Sequence, residues 1–553
     1  MTNRMNLVAF AGVVALGTAG AAVAAPATAA KPATPPAAIL AAYEYPIYDS
    51  VIDPATAAIR AALADAGKEG SFLDKRDAAA VAEYYAEQGY APSWINAGRI
   101  TDRAKAIIAR IKQAEVDGLN PATYRTPATE AYFGSMIDAA AADVAISGAI
   151  VAYARHAHSG VLDPPSVSEN FDYKPHLLDP IEVLTTMAAT DNPDAVFSSY
   201  NPKHPEFVAL REQLKKARTE QPEAEVYVPE GPTLKPGMKD PRVAILRQRL
   251  DVTETGEDPE IYDETVVEAV KAFQGANGLK ADGMLGKGSL AFLNTPAESN
   301  VDTILVNMER WRWMPEELGS FYVRVNIPNF NLDIYRDGEV FFTTRIVVGE
   351  TDKQTPIFSD EIETAVVNPT WNVPASIAVK EMLPKIQSNP GALNGYQVFA
   401  NFDGRFRPVD PMMVDWSSVD MKRIQIKQPP GERNALGSIK FLFPNPYAVY
   451  LHDTPSKSFF ERDYRALSHG CMRVMNPWDF AAALLEHDPK VSVGGLKKLV
   501  GGREAAVNLS EHIPVHITYF TAWVDETGAL TTRKDVYGHD KRMKSALGLG
   551  VTG

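Results

Sequence analysis

One cysteine occurs among 553 residues, and two histidines precede it closely. Cys471 lies two residues after His469 and nineteen after His452, within YLHDTPSKSFFERDYRALSHGCMRV, residues 450–474. A thiol beside an imidazole can hand over its proton and become a strong nucleophile at neutral pH. The imidazolium then protonates a leaving amine, so the pair suits acyl transfer. Backbone N–H groups at Gly470 and Cys471 could stabilise a tetrahedral oxyanion, since glycine lets a substrate approach closely. The alternative for a lone cysteine is a small buried core residue.

Such chemistry needs strands that hold these side chains on one face. In AVYLHD, Val449 and Leu451 point one way, and Tyr450 and His452 the other. If residues 471–474 are extended, Met472 and Val474 face the core while Cys471 and Arg473 face the cleft. Asn476 and Pro477 then start a helix that anchors the cysteine strand. Alternation over Phe321, Val323, Val325 and Ile327 predicts a half-buried strand, and Asp337-Gly338 a hairpin turn. Further strands are expected in TAVVNPTWNV, SIKFLF and AVYLHD. A helical and loop-rich insert at about 374–437 separates them and reads as a lid.

The rest of the chain is helical in texture. The expected architecture is multidomain α+β: a helical scaffold over 66–225, a small three-helix domain over 230–297, and a β-rich catalytic domain with its lid over 300–500. Residues 501–553 are expected to pack on the catalytic domain as an extension. Helices are predicted over 77–89, 101–118 with Thr101 as cap, and 142–159. His156 and His158 sit two apart on the last of these and face different directions, which makes them a poor metal pair. They read as structural or solvated. Trp311, Trp313 and Trp371 read as core aromatics.

Arg4, the apolar run Leu7–Leu16 and the Ala22-Val23-Ala24 exit read as a signal peptide over 1–25, and 26–65 as a Pro/Ala-rich linker. No later segment is expected to approach the length of a transmembrane helix, so no membrane anchor is expected after cleavage. A net charge of −14 without a Lys/Arg-rich run argues against nucleic acid and anionic membranes as partners. With no CxxC and no HExxH, neither a metal nor another cofactor is expected.

His452 followed by Ser468-His469-Gly470-Cys471 and Arg473 resembles the signature of the L,D-transpeptidases with a YkuD-type catalytic domain. The likeness extends through MERWRWMP, PTWNVPASIAVKEMLPKI, QPPGERNALGSIKFLFPN, IPVHITYFTAWVDETG and DVYGHD. VAILRQRL, VKAFQ and GLKADGMLGKGSLAFLN resemble the three-helix peptidoglycan-binding module. The combination is similar to the large periplasmic branch of the family, the YcbB type.

The resemblance implies a reaction. Cys471 would attack the bond between meso-diaminopimelate and the terminal D-alanine of a tetrapeptide stem, forming a thioester and releasing D-alanine. The side-chain amine of a second stem would resolve it as a 3→3 crosslink. His452 matches the catalytic histidine, oriented by the backbone carbonyl of Asp453, whose side chain is expected to matter little. Ser468 and His469 complete the substrate-side motif, His469 being structural rather than the base. Tyr450 and Arg473 match cleft positions that meet substrate carboxylate or carbonyl groups. Carbapenems, which acylate this family's nucleophile, would react at Cys471. Water as acceptor would make an L,D-carboxypeptidase, and a protein amine an anchoring enzyme. A non-catalytic wall-binding scaffold is the reading from a different class.

Overall fold

The computed structural model describes residues 53–66, 75–219, 226–253, 256, 258–276, 279–294 and 300–550. The expected signal peptide and most of the linker lie outside these residues. Pro54–Asp65, assigned above to the linker, is instead a helix that buries Ala58 and Ile59 against Met136–Ser159.

Met136–Ser159 is the spine of the scaffold. It is long and apolar enough to cross a membrane by length and composition, which corrects the expectation that no segment after the leader is. Its residues are spent on a protein core instead: Ile146, Ile150 and Tyr153 are fully buried. Asp143 accepts hydrogen bonds from the backbone N–H groups of Ser93, Trp94 and Ile95 and from the Tyr85 hydroxyl. A buried carboxylate so fully partnered fixes one packing of the helix. Thr101 caps Asp102–Lys112 as expected, accepting from the Ala104 N–H at 3.2 Å.

The small domain has its own core. Helices Arg242–Arg249, Glu264–Ala276 and Lys287–Leu293 enclose Val243, Leu246, Tyr262, Val266 and Leu290.

The β-rich unit is a nine-stranded sheet. In neighbour order its strands are Ala466–Ser468, Glu339–Gly349, Met472–Val474, Leu451–His452, Ile439–Leu442, Ser359–Val367, Ala505–Thr518, Phe321–Asn326 and Asn331–Arg336. Asn331–Arg336 also pairs with Glu339–Gly349, so eight strands close a ring and Ala466–Ser468 branches from it. Closure removes the exposed sheet edges. Asp337 and Gly338 both take positive φ (50° and 88°), as the tight hairpin between those two strands requires. Ala505–Thr518 lies inside the sheet, hydrogen-bonded to Ser359–Val367 and Phe321–Asn326. A domain boundary at 500 therefore cuts the barrel, and the C-terminal segment is part of it rather than an extension packed on it.

The insert also departs from a helical, loop-rich expectation. Trp371–Asn372, Ile424–Gln428, Gln397–Phe402 and Arg405–Val409 form a separate four-stranded sheet with a core of Val373, Ile386, Val398, Trp416 and Ile426.

Helix Asn300–Trp313 joins scaffold to barrel. Glu309 Oε1 accepts from the N–H groups of Val161 and Leu162 at 2.6 and 2.7 Å, and Arg312 Nε donates to the Ala157 carbonyl. Gly160 (φ 92°) is required there, because a Cβ would lie 2.7 Å from Glu309 Oε1. Trp311 and Trp313 are core residues of this joint.

Candidate active site

Two short parallel strands build the site. Leu451 pairs with Met472 and His452 with Arg473, and the Met472 N–H donates to the Tyr450 carbonyl at 3.1 Å. Met472, Val474 and Leu451 are fully buried, which pins the register. Cys471 comes one step before the strand proper, on the bend that follows Gly470 (φ 112°), and stands beside Tyr450. Tyr450 and His452 pack edge to face at 5.7 Å. Helix Pro477–Leu484 begins where expected, although Asn476 makes no side-chain cap bond.

His452 is nearly inaccessible, and its Nδ1 lies 2.5 Å from the Asp453 carbonyl oxygen. That contact directs the Nδ1 proton to the carbonyl and leaves the Nε2 lone pair available. Burial, then the charges of Arg473 and Lys440, push the imidazole down to about 3. Cys471 is partly accessible. Burial raises its thiol above the ordinary value, opposed by the Tyr450 N–H and hydroxyl and by the charges of Arg473 and Lys440. The resting pair is thus a neutral thiol and a neutral imidazole.

Arg473 spans the cleft beside Phe459, its guanidinium carbon 5.5 Å from that ring. Its buried Nε has no hydrogen-bond partner, and no acidic side chain pairs with it among the described residues. It is not an ordinary surface ion pair. Lys440 escaped the sequence reading. It sits on Ile439–Leu442 opposite His452, with Nζ 5.5 Å from the centre of the Tyr450 ring. Burial lowers its pKa, and Glu504 first, then Cys471, oppose that shift. Only the sheet order brings Lys440 to the cysteine, so no spacing signal could have found it.

Three expected roles change. Ser468, placed with the substrate contacts, is buried: its hydroxyl donates to the Cys471 carbonyl at 2.6 Å and accepts from the Gly470 N–H at 3.2 Å. It braces the loop. The Gly470 N–H is thereby occupied and its carbonyl accepts from Thr355 Oγ1. His469 turns outward to the insert, where its Nε2 meets Glu381 and lies 2.9 Å from Lys353 Nζ.

The Asp453 side chain, expected to matter little, is densely bonded. It accepts from the Ser438 N–H and hydroxyl, the Thr454 N–H and Lys457 Nζ, all within 2.9 Å. These donors hold the carboxyl below the usual range against the opposing effect of burial. Trp478 Nε1 donates to the same Ser438 hydroxyl, tying in the following helix. The small domain also reaches this region: the Lys280 N–H donates to Asp463, in the loop between His452 and Cys471.

A closed barrel thus presents a cysteine, a histidine held on a backbone carbonyl, and the cations of Arg473 and Lys440 close to the thiol. The family comparisons are specific: the model described as the L,D-transpeptidase catalytic domain matches residues 320–493, that of the scaffold domain 79–214, and that of a "Putative peptidoglycan binding domain" 239–293. The chain therefore carries a YkuD-type L,D-transpeptidase catalytic domain together with a peptidoglycan-binding domain. A "Putative L,D-transpeptidase" of Haemophilus influenzae is 33% identical over 257 residues, 46% of this chain and 52% of its own length. The chain thus spans about half the length of that relative.

Solved structures with some likeness include three L,D-transpeptidases. That of Stackebrandtia nassauensis has 15% identity, covers 53% of this chain and 97% of its own, and scores a TM of 0.20. That of Mycobacterium smegmatis has 14% identity, covers 36% and 58%, and scores 0.18. An L,D-transpeptidase solved with imipenem has 15% identity, covers 36% and 59%, and scores 0.16. At such scores these likenesses carry no argument, and the family models carry the assignment.

Proposed function

We propose that the protein is a periplasmic L,D-transpeptidase that forms 3→3 crosslinks between peptidoglycan stems through a thioester on Cys471. The observation that supports this reading is the parallel pairing that sets His452 opposite Arg473, two residues after Cys471, with His452 Nδ1 held on the Asp453 carbonyl.

The Cys471 sulfur attacks the diaminopimelate carbonyl carbon as His452 Nε2 takes the thiol proton. Proton transfer accompanies attack, because neither group is charged at rest. Arg473 and Lys440 stabilise the negative charge that develops on sulfur and oxygen. The Cys471 N–H faces the oxyanion. Collapse breaks the C–N bond, and protonated His452 gives its proton to the departing D-alanine amine. An incoming stem amine then attacks the thioester, His452 accepts its proton, and the returning proton restores the thiol. The guanidinium of Arg473 is suited to a substrate carboxylate. The peptidoglycan-binding domain would hold the enzyme on its polymeric substrate, and a carbapenem would acylate the same sulfur.

Incubation with purified disaccharide-tetrapeptide, followed by mass spectrometry, tests this. A dimer lacking one alanine is expected from the wild type and none from Cys471→Ala. Tripeptide alone would instead mark a carboxypeptidase. Absence of any product, with binding to cell-wall sacculi retained, would mark a scaffold.

A further inference from the structure

We infer that His158, His176 and Glu316 form a site for a zinc-class divalent cation, which pins the scaffold to the turn that leads into the barrel. The three come from separate elements. His158 is in the last turn of Met136–Ser159, His176 lies in the connection before Pro180–Ala189, and Glu316 is in the turn between Asn300–Trp313 and Phe321–Asn326.

Two of the three donor-atom spacings are those of a zinc tetrahedron. His158 Nε2 lies 3.4 Å from His176 Nδ1 and 3.2 Å from Glu316 Oε1, and all three ligand atoms fall within 4.8 Å of one another. Bonds of about 2.0–2.1 Å to a tetrahedral ion put ligand atoms roughly 3.3 Å apart, so two of the three edges are already formed. The tautomer is set as well. His158 Nδ1 lies 3.3 Å from the Tyr200 carbonyl, which takes its proton and leaves the Nε2 lone pair facing His176 and Glu316. A histidine held through its second nitrogen is the usual support of a metal ligand.

The setting admits an ion. Glu316 is 68% exposed and His158 13%, giving entry from solvent. The same three residues line a cavity of about 780 Å³ whose wall includes Asn201 and His204. Both are buried, yet neither atom of the Asn201 side-chain amide and not the Nδ1 of His204 has a protein partner. Such groups call for water or a ligand. A three-ligand ion here keeps its fourth position for water. Two imidazoles and one carboxylate suit zinc, and copper or nickel next, whereas calcium and magnesium prefer all-oxygen sites. The site shares no residue with the catalytic cleft. His156, expected from its spacing to be a poor metal partner for His158, is buried against the Tyr124 hydroxyl at 3.1 Å. The partners of His158 come from 18 and 158 residues further along the chain.

The test uses the full chain, stripped with a chelator, in a Cys471→Ser background that removes the thiolate. Zinc chloride titrated calorimetrically should bind one equivalent, and His176→Ala or Glu316→Gln should weaken it by about 100-fold or more. Zinc should raise the melting temperature of the parent and leave that of either variant unmoved. Without zinc the variants should melt with the parent, which separates loss of the site from misfolding. Cobalt should give the visible spectrum of a four-coordinate ion without a thiolate band. The inference fails if the parent binds no zinc saturably, if both variants bind it as the parent does, or if cobalt binds only when Cys471 is present.

Discussion

Glu381, carried on the insert, is hydrogen-bonded to Nε2 of His469, two residues before Cys471, and Lys353 Nζ lies 3.2 Å from the same carboxylate oxygen. The insert is thus latched directly to the segment that carries the thiol. His469 first, then Lys353, holds the Glu381 carboxyl below its usual range. A depressed folded pKa means that the latch contributes fully above pH ~4.5 and is lost as pH falls through the folded value. Both side chains are partly exposed, so the contact is worth only about 0.5–1 kcal/mol. Glu381→Gln should speed amide exchange across 374–437 by roughly two- to fivefold. Unchanged exchange in that segment would remove the latch from the account.

The charges around Cys471 predict how the thiol titrates. Its pKa is raised by burial and drawn back by Arg473 and Lys440. Alkylation by iodoacetamide should therefore keep rising with pH through the ordinary thiol range. Arg473→Gln and Lys440→Met each remove a cation, so each should raise the thiol pKa and slow alkylation at pH 7.5 by up to about tenfold. A rate that is level from pH 6 upward would mean a preformed thiolate and would overturn the neutral-pair mechanism.

How much of this could be read in the sequence turns on which contacts are local. Alternation in AVYLHD and in MRV places Tyr450, His452 and Arg473 correctly, because burial of Leu451, Met472 and Val474 leaves their neighbours no other face. The Asp337-Gly338 turn is local too. Lys440 is not: its place opposite His452 depends on which strands neighbour each other, and that order is set by the whole barrel. The same holds for Ala505–Thr518, an inner strand that follows a helical stretch and carries a register shift between Asn508 and Ile513. The lid sheet was hidden because its strands are short and half-exposed, so their alternation is weak.

Four buried histidines predict how stability depends on pH. Burial lowers His156, His452 and His539 to about 3 and His516 to about 4. Between these values and the ordinary 6.5 the unfolded chain binds protons that the folded chain does not. Stability therefore falls as pH drops below 6.5, by at most about 2 kcal/mol per histidine at pH 5. The melting temperature should decline steadily from pH 7 to pH 5. A flat profile over that range would show these histidines to be solvated or protonated in the native state.

The sharpest structural prediction concerns Gly437, whose role follows from Asp453. Gly437 takes φ 60°, and a Cβ there would lie 2.3 Å from the Asp453 carboxylate. Gly437→Ala must either strain the backbone or push Asp453 aside, at a cost of about 1–3 kcal/mol. Displacing Asp453 also shifts the carbonyl that holds His452 Nδ1, so acylation of Cys471 by a carbapenem should slow beyond what lost stability explains. Asp453→Ala tests the coupling. Alone it abandons Ser438, Thr454 and Lys457 and destabilises the protein. Combined with Gly437→Ala it removes two of the three side-chain atoms the new methyl would strike, the carboxyl carbon and oxygen at 2.3 Å, and leaves only the Cβ at 2.5 Å, so the double variant should be more stable than the sum of the singles by about 0.5–3 kcal/mol. Strict additivity in denaturant melts would mean that the two residues act independently and that the glycine serves only its own turn.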